Sequence, residues 1–368
     1  MKFTKFGLAI ASVAVLVAGA GCASAEDEQQ ADSGASASGS ASAGGSTCPL
    51  VDAADPGNSE APADTPIAKG APKLEKKDSY SVAFSQIGSD NPFRLAETAS
   101  MKAEAEKRGW KVTTTDAGNK EDKQIQDVKT LINQKPDAIF LAPNTEKGLA
   151  PVVKQAADAG IPVILVDRTV DPSIAEPGKD FVTAIASDFV QEGKRAAIQM
   201  AKATGGKANI IELEGTTGSS PAIDRKKGFA DAIAACPDMK IVVAQDGDFS
   251  REKGQSVTET LLQSQPDADA IYAHNDEMAL GAINALKSAG KTPGTDVKIV
   301  SIDGNKDAIT AVAAGELVAS VECNPRFGPV AYDTLEAYAA GEDVPVKTVS
   351  EDRLFDASNA QENIEQAY

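Results

Sequence analysis

An aspartate and an arginine stand side by side at the end of an apolar run, and together they could bind a polar ligand. Residues 161–166 read Ile-Pro-Val-Ile-Leu-Val, and Asp167 and Arg168 follow directly. A carboxylate can accept hydrogen bonds from two adjacent hydroxyls, while a guanidinium donates to several oxygens in a fixed fork. This chemistry suits a sugar. The alternative is a turn in which the two charges pair with each other, and the residues leave both possibilities open.

The apolar run predicts a strand that is buried on both faces of a parallel sheet. Such sheets bind ligands beyond the carboxyl ends of their strands, so Asp167 and Arg168 are expected at a binding edge. The pattern predicts further strands at 80–85, 111–115, 137–142 and 181–186, then at 208–214, 240–245, 269–273, 298–302 and 317–321. Helical patterns at 92–108, 121–133 and 147–159, then at 221–235, 251–263 and 277–289, separate them. The repeated rhythm predicts two doubly wound α/β lobes that face a shared cleft.

The first 22 residues resemble an export signal of the lipoprotein type. Lys2 and Lys5 precede an apolar core at 8–17 that is too short to span a bilayer comfortably, and small residues then lead to Cys22. In this resemblance Cys22 becomes the lipidated first residue of the mature protein, which anchors it to the outer face of the cell membrane. Ordinary secretion, with Cys22 incidental, is the alternative.

Residues 23–77 are rich in Ser, Ala, Gly, Asp, Glu and Pro. Such a segment buries too little apolar surface to offset the entropy lost on ordering, which predicts a disordered tether. The remaining chain is long enough for two domains of ordinary size. A formal charge of -18 argues against nucleic acid or an anionic membrane surface as a partner, and 5% aromatic residues leave little stacking surface.

Cysteine and histidine are scarce, which limits the chemistry that the chain can perform. If Cys22 is lipidated, Cys48, Cys236 and Cys323 remain, and the spacing leaves a pairing of Cys48 with Cys236 open. His274 is the single histidine of the sequence, which disfavours a transition-metal cluster and a Ser-His-Asp or Cys-His triad. We therefore expect no metal, no cofactor and no catalysis.

Several short motifs occur in a fixed order and together resemble the ribose-type sugar-binding proteins of ABC importers. They are SQIGSDNPFR at 85–94, VDR at 166–168, AIDRKKGF at 222–229, GDF at 247–249, HNDEM at 274–278 and SIDG at 301–304. Within that family they are most similar to the galactofuranose-binding branch. The resemblance implies a periplasmic binding protein fold of type I, in which two Rossmann-like lobes, joined by a three-crossover hinge, close on a monosaccharide.

The resemblance also implies where the lobes begin and end. The crossovers are expected near Ser187, Cys323 and Asp352. The first lobe then comprises residues 78–187 and 324–352, and the second lobe comprises residues 188–323 and 353–368.

The site residues that the resemblance implies in the first lobe surround the ends of two predicted strands. Asn91 would offer an amide and Phe93 a ring face, although Asn91 could equally cap the following helix. Arg94 replaces a second Phe of ribose binders, as it does in the galactofuranose branch, and exchanges stacking for hydrogen bonding; a solvated Arg94 is the alternative. The first-lobe set is Ser85, Asp90, Asn91, Phe93, Arg94, Asp167 and Arg168.

The second lobe is expected to contribute Arg225, Phe249, Asn275 and Asp303 to ligand binding. Arg225 matches the family's second-lobe arginine but could instead pair with Asp224 or a nearby helix face, and Phe249 could belong to the core. Asn275 could cap a helix rather than donate to a ring hydroxyl. Asp303 could be a turn residue rather than a ligand residue opposite the first-lobe aspartate.

Two departures from ribose binders change the expected ligand. Ile302 stands where those proteins carry an aromatic residue, and Cys323 stands where they carry a glutamine at a crossover. Together with Arg94, these departures favour a furanose hexose such as galactofuranose over ribose. We therefore expect a monomeric, non-enzymatic extracytoplasmic receptor, on the cell surface or in the periplasm, that delivers a free monosaccharide to an ABC permease.

Other functions remain open at this point. A sensor would pass the same sugar signal to a chemoreceptor or kinase, and a pentose receptor would prefer ribose or a related sugar. A sugar-responsive repressor shares this fold but needs a helix-turn-helix ahead of residue 80, where this sequence has a signal and a tether. A glycosidase needs two carboxylates at catalytic spacing; Asp167 and Asp303 are candidates, but we expect flanking arginines to keep both ionised.

Overall fold

Strands and helices alternate regularly along the chain and form two α/β units. The computed structural model describes residues 47–368. The predicted signal at 1–22, the predicted lipidation site Cys22 and the tether residues 23–46 lie outside the described residues.

The elements follow one another in the order that the sequence pattern predicts, with several additions. The strands are β1 (Ser81–Gln86), β2 (Lys111–Asp116), β3 (Ala138–Leu141), β4 (Val163–Val166), β5 (Thr183–Ala186), β6 (Ala208–Glu214), β7 (Met239–Asp246), β8 (Ala270–Ala273), β9 (Lys298–Asp303), β10 (Ala319–Glu322), β11 (Lys347–Val349) and β12 (Leu354–Asp356). The helices are α1 (Pro92–Arg108), α2 (Glu121–Gln134), α3 (Glu146–Asp158), α4 (Phe189–Thr204), α5 (Ser220–Ile233), α6 (Arg251–Ser264), α7 (Asp276–Ser288), α8 (Lys306–Ala313), α9 (Gly328–Ala339) and α10 (Ala360–Asn363), with 3-10 turns at Pro49–Asp52 and Ile364–Gln366.

The strands form two six-stranded sheets that repeat one topology. The first sheet has the order β11-β5-β4-β3-β1-β2 and is parallel throughout. The second has the order β12-β10-β9-β8-β6-β7 and is parallel except for β12, which runs antiparallel to β10. In both sheets the strand order reverses beside the first strand, and open α/β sheets bind ligands at such a switch point. The predicted doubly wound α/β fold is confirmed.

We call each sheet with its helices a lobe, and three segments join the first lobe to the second. These segments follow β5 at 187–188, β10 at 323–327 and β11 at 350–353. After the second of them the chain returns to the first lobe, where α9 packs against α1. The three segments contain Ser187, Cys323 and Asp352.

The helix that begins beside the first strand shows how local sequence sets the geometry of the cleft edge. Asn91 adopts an extended conformation before α1 and its side chain accepts a hydrogen bond from the backbone N–H of Arg94. Pro92 occupies the first helical position, where its missing N–H costs nothing, and Gly109 ends the helix at a φ of 66°. The amino end of α1 is therefore fixed at the carboxyl edge of β1.

Aromatic stacking reinforces the apolar interior of each lobe. In the first lobe Phe140 stacks on Tyr332 with ring centres 4.8 Å apart, and in the second lobe Phe229 stacks on Tyr272 at 3.9 Å. All four side chains are buried. Burying a large apolar side chain contributes about 1.5–3 kcal/mol, so these pairs anchor helices α9 and α5 to their sheets.

An extended segment at 48–72, which we call the strap, is fastened to both lobes. At its start Cys48 forms a disulfide with Cys236, and Asp55 Oδ1 lies 2.8 Å from Arg195 Nε on α4. Further along, the backbone N–H groups of Gly70 and Ala71 donate to a first-lobe carbonyl at 2.8 Å. Between these points the chain passes over the segments that join the lobes.

The prediction of a disordered tether at 23–77 is therefore wrong from residue 47 onward. The composition argument considered apolar burial alone, whereas a disulfide, a half-buried ion pair and backbone hydrogen bonds order this segment. Among residues 47–368, no helix combines the length and the apolar character needed to cross a membrane.

Candidate functional site

One cavity lies at the carboxyl edges of both sheets and is lined by residues of both lobes. It encloses about 320 Å³ of empty space, part of it open to solvent. Its lining consists of Asn91, Phe93, Arg94, Asp167, Arg168, Pro221, Arg225, Phe249, Asn275 and Asp303. The cavity thus combines charged groups of both signs with aromatic rings.

Arg94 enters the cavity from the first turn of α1 and is held by two carboxylates. Its Nη1 atom lies 2.7 Å from Asp167 Oδ2 and 2.7 Å from Glu97 Oε2. The Arg94 side chain is only 7% exposed, so it is a buried guanidinium rather than a solvated one. Both carboxylates raise the pKa of Arg94 against the opposing effect of burial, which keeps the group charged.

Asp167 and Arg168 follow β4 in a turn that separates them rather than pairing them closely. Asp167 adopts a φ of 63°, and its Oδ2 lies 3.6 Å from Arg168 Nε without forming a hydrogen bond. Arg168 Nη1 instead donates to the carbonyl of Asn144 at 2.9 Å. Asp167 Oδ2 is in ion-pair contact with Arg94 Nη1, whereas Arg168 Nε has no hydrogen-bond partner among the described residues. One guanidinium donor is therefore left for a ligand.

Burial and neighbouring charges shift the pKa of Arg168 strongly. Burial, and next the charge of Arg94, lower this pKa to about 9, although Asp167 opposes both. Hydrogen bonds to the oxygen atoms of a ligand in the cavity would stabilise the charged form of Arg168.

Arg225 is the corresponding guanidinium of the second lobe. Its Nε atom lies 2.7 Å from Glu192 Oε2, its Nη1 donates to the carbonyl of His274 at 2.7 Å, and its Nη2 lies 3.6 Å from Asp303 Oδ1. The alternative pairing with Asp224 is absent from these contacts, whereas the pairing with a nearby helix face is present through Glu192 on α4. Arg225 therefore faces the cavity with a fixed orientation.

Asp303 ends β9 and is largely buried at the cavity wall. Burial raises its pKa well above the ordinary range, while Arg225 acts in the opposite direction. The nearest guanidinium contact of this carboxyl is the one of 3.6 Å to Arg225 Nη2, which opposes the effect of burial. A ligand hydroxyl that donates to Asp303 would favour its ionised form.

Phe249 is a cavity residue whose ring contacts guanidinium groups from both lobes. Its ring centre lies 5.2 Å from the guanidinium carbon of Arg168 and 5.9 Å from that of Arg225. Behind the ring, a Cβ atom at Gly215 would lie 1.9 Å from Phe249 Cζ, so glycine is required there. Asn275 Nδ2 donates to the carbonyl of Phe249 at 3.2 Å, which fixes the loop. Phe249 therefore lines the cavity and also belongs to the buried apolar cluster of the second lobe.

The carboxamide side chains of Asn91 and Asn275 cap helices and also line the cavity. Asn91 Oδ1 caps α1 through Arg94 N at 3.0 Å, and Asn275 Oδ1 caps α7 through Met278 N at 3.0 Å. Both residues also line the cavity. The two readings of Asn91 and of Asn275 that the sequence left open are thus compatible.

The geometry of the cavity and the order of the sequence motifs both agree with a family comparison. A model of the family described as periplasmic binding protein domain matches residues 82–343. The chain belongs to the periplasmic binding protein family. That family comprises solute-binding proteins rather than enzymes, in agreement with the expectation that the chain catalyses nothing.

Relatives within the periplasmic binding protein family are similar over most of the chain. The galactofuranose-binding protein YtfQ of Escherichia coli K12 is 43% identical over 289 residues, which cover 77% of this chain and 90% of YtfQ. The binding protein of the arabinose ABC transporter of Shewanella sp. ANA-3, solved with L-arabinofuranose, is 41% identical with a TM-score of 0.73 and covers 78% of this chain and 95% of its own. A Mycobacterium smegmatis protein solved with β-D-fucofuranose is 42% identical, with a TM-score of 0.74. The match covers 77% of this chain and 94% of the M. smegmatis chain.

The periplasmic binding protein structure brings together nine of the predicted site residues and excludes two. Ser85 is buried on β1, and its hydroxyl lies outside the cavity lining. Asp90 turns away to accept a hydrogen bond from Asn119 Nδ2 at 2.6 Å. The cavity lining thus leaves out Ser85, whose hydroxyl has no hydrogen-bond partner among the described residues, and Asp90, whose carboxylate closes a loop.

The structure also shows functional neighbours that the sequence reading missed. Pro221 lines the cavity at the start of α5, and Glu97 and Glu192 support the two arginines from behind. The spacing of Glu97 three residues after Arg94 on one helix is a signal that could have been used. Ile302 and Cys323, the two departures from ribose binders, are buried outside the cavity lining.

Proposed function

We propose that this protein is the extracytoplasmic receptor of an ABC sugar importer, which binds a free monosaccharide between its lobes and delivers it to the permease. The cavity offers charged donors and acceptors for hydroxyl groups and aromatic faces for C–H groups, as sugar recognition requires. YtfQ is named as a galactofuranose-binding protein, and the Shewanella relative is described as a component of an ABC transporter. These two descriptions support the assignment to sugar import.

We propose further that the ligand is a furanose, with a galactofuranose-like hexose preferred. The three relatives are described with galactofuranose, L-arabinofuranose and β-D-fucofuranose, which share a five-membered ring but differ in their exocyclic carbons. The ring form is thus the feature common to the relatives, while the side arm of the sugar varies among them.

The single observation that carries the hexose preference is the position of Arg94. This guanidinium lies in the cavity beside Phe93, with its carbon 4.9 Å from the ring centre, and contacts Asp167. A sugar that extends an additional hydroxyl toward Arg94 would gain a charge-assisted hydrogen bond. A pentose has one carbon fewer with which to reach it.

A panel of related sugars tests this proposal. D-Fucose lacks the 6-hydroxyl of D-galactose, and L-arabinose lacks that carbon altogether, so the three form a graded series; D-ribose is the pentose comparison. We expect calorimetric titration to give the tightest binding for D-galactose, with losses of about tenfold for the shorter sugars because a hydrogen bond to a charged group contributes about 1.5–3 kcal/mol. Carbon NMR of the bound sugar reports its ring form.

Other outcomes of the sugar titrations would favour one of the competing functions. Tighter binding of D-ribose or L-arabinose would identify a pentose receptor, and absence of binding by every sugar would contradict the proposal. Uptake of labelled sugar in cells that lack the protein separates import from sensing. Unchanged uptake, with loss of a sugar-induced response, would indicate a sensor that signals to a chemoreceptor or kinase.

We propose an extracytoplasmic location with a lipid anchor at Cys22. The disulfide between Cys48 and Cys236 supports an oxidising compartment. The lipoprotein-like pattern before Cys22 supports the anchor. The change Cys22→Ala should release the protein from the membrane fraction without altering sugar affinity, and retention of this variant in membranes would contradict the anchor.

We also propose that the lobes act as the two halves of a clamp, with residues 78–187 and 324–352 on one side and 188–323 and 353–368 on the other. The two sheets and the three joining segments support these limits. Small-angle scattering with and without sugar would test the clamp, since ligand-driven closure should reduce the radius of gyration.

A further inference from the structure

Glu97 is a buried carboxylate that stands directly behind the cavity. It is fully buried on α1 and is absent from the cavity lining. Its Oε2 accepts hydrogen bonds from Arg94 Nη1 at 2.7 Å and from Gln86 Nε2 at 2.9 Å. Gln86 is itself fixed, because its Oε1 accepts from the N–H of Ile87 at 2.8 Å. The carboxylate is therefore held in place from the sheet side.

Glu97 and Asp167 share one nitrogen atom of Arg94. Nη1 lies 2.7 Å from an oxygen of each carboxylate, so it forms an ion pair with both. The two carboxylates pull the guanidinium in different directions, one from behind the cavity and one from its wall. Without Glu97, the attraction of Asp167 would no longer be balanced from behind, and Arg94 would be drawn toward Asp167.

We propose that Glu97 is a positioning residue for sugar binding, which shares Arg94 with Asp167 and thereby fixes the guanidinium at the cavity wall. The inference rests on the proposed function, because it assigns Arg94 and Asp167 to the sugar. Glu97 does not touch the ligand in this arrangement; it sets the position of the Arg94 donors that do.

The second lobe contains the same arrangement in independent elements. Glu192 on α4 is fully buried and holds Arg225 Nε at 2.7 Å, while Asp303 lies 3.6 Å from Arg225 Nη2. In each lobe a buried glutamate thus holds the arginine from behind while an aspartate that lines the cavity approaches the same guanidinium. The repetition indicates that a glutamate behind the arginine is a feature of the site.

A double-mutant cycle tests the positioning role with D-galactose as the probe. Glu97→Gln keeps the shape of the side chain and removes its charge, so we expect the dissociation constant to rise about tenfold by calorimetry. In the Arg94→Phe background the same change should alter affinity by less than about twofold, because Glu97 then has no arginine to position. A purely structural role would produce equal losses in both backgrounds and would overturn the inference.

Glu104→Gln is the matched control on the same helix. Glu104 is also buried and accepts from Arg108 Nε at 2.8 Å, but it lies outside the cavity lining, so its loss should leave the dissociation constant unchanged. If Glu97→Gln does not fold, Glu97→Asp keeps the charge but shortens the arm, and wild-type affinity in that variant would overturn the inference. Failure of the wild-type protein to bind any sugar of the panel would instead contradict the proposed function.

Discussion

Arg168 of the first lobe lies over the ring of Phe249 of the second lobe, with 5.2 Å between the guanidinium carbon and the ring centre. This contact joins the two walls of the cavity directly. The charge of Arg168 is largely buried, so the ring face compensates part of the hydration that the guanidinium loses. Residues that hold the lobes together are thus also residues that line the site.

The Arg168 contact gives a first prediction about Phe249. Phe249→Leu keeps an apolar side chain but removes the ring face that two guanidinium groups share. A buried cation–π contact contributes about 2 kcal/mol, so we expect sugar affinity to fall by about tenfold or more. Calorimetric titration measures the loss, and a melting temperature within a few degrees of wild type would show that the fold is intact. Unchanged sugar affinity would show that Phe249 contributes only to the apolar core.

A second prediction concerns the carboxylate of Asp167. Asp167→Ala removes a charged acceptor from buried hydroxyls and leaves Arg168 without its nearest carboxylate. Hydrogen bonds to charged groups contribute about 1.5–3 kcal/mol, which corresponds to a loss in affinity of about tenfold to 150-fold. Asp171→Ala on the same loop is the control, since Asp171 bonds to Ser173 rather than lining the cavity. Normal sugar binding by a destabilised Asp167→Ala variant would make Asp167 a turn residue.

A third prediction separates hexoses from pentoses through Arg94. Arg94→Phe restores the second ring that ribose binders carry but removes the donors that a hexose hydroxyl would use. Leaving such a hydroxyl without a partner costs about 1–3 kcal/mol, so affinity for D-galactose should fall by about tenfold while affinity for L-arabinose holds or improves. The two titrations are run on the same preparation, and equal losses for both sugars would show that Arg94 only supports the loop.

A fourth prediction concerns the disulfide between Cys48 and Cys236. It links residues 188 positions apart, and removing a native disulfide costs about 2–5 kcal/mol of folding stability. We expect Cys48→Ser, Cys236→Ser and the double variant to lower the melting temperature by equal amounts, because each removes the same bond. Sugar affinity should stay within about twofold of wild type, since neither cysteine lines the cavity. Additive losses in the double variant would contradict this explanation.

A fifth prediction follows from Asp352 in the third joining segment. Burial, and next the charge of Glu192, raise the pKa of Asp352 to about 8, against about 3.9 in an unfolded chain. Between these two values the folded protein binds the proton and the unfolded chain does not, so folding stability falls as pH rises toward 8. Asp352→Asn keeps an acceptor for Asn324 N and should flatten this decline. Melting temperatures from pH 5 to pH 8.5 measure it, and parallel curves for both proteins would exclude Asp352 as the cause.

Most of the strands could be predicted because their apolar runs are short and sharply bounded. The run predicted at 208–214 is β6, Ala208–Glu214, and the run at 162–166 contains β4. Helix α4 was missed because its buried face carries Glu192, Arg195 and Gln199 among alanines, which obscures the apolar periodicity. The signals at its ends, Asp188 as a cap and Gly205 at a φ of 64°, were nevertheless readable.

Site residues at the ends of strands could be predicted from the sequence, whereas site residues whose role depends on tertiary packing could not. Asp167 and Asp303 directly follow or end apolar runs, so topology alone brings them to one edge. Glu97 and Glu192 read as ordinary helix-surface charges in the sequence, and only the fold shows that they are buried behind arginines. The strap was hidden for a similar reason, since its partner Arg195 is distant along the chain.

The attachment of Cys48 to Cys236 also determines where a pull on the chain would act. Tension applied from the amino-terminal side reaches the folded body through a covalent bond in the second lobe, 33 residues ahead of Ser81, where β1 begins. The strap beyond Cys48 is therefore shielded from that load, and its hydrogen bonds to the first lobe do not have to bear it. Held from its amino-terminal side, the protein would be carried by its second lobe, which leaves the first lobe as the half that can swing.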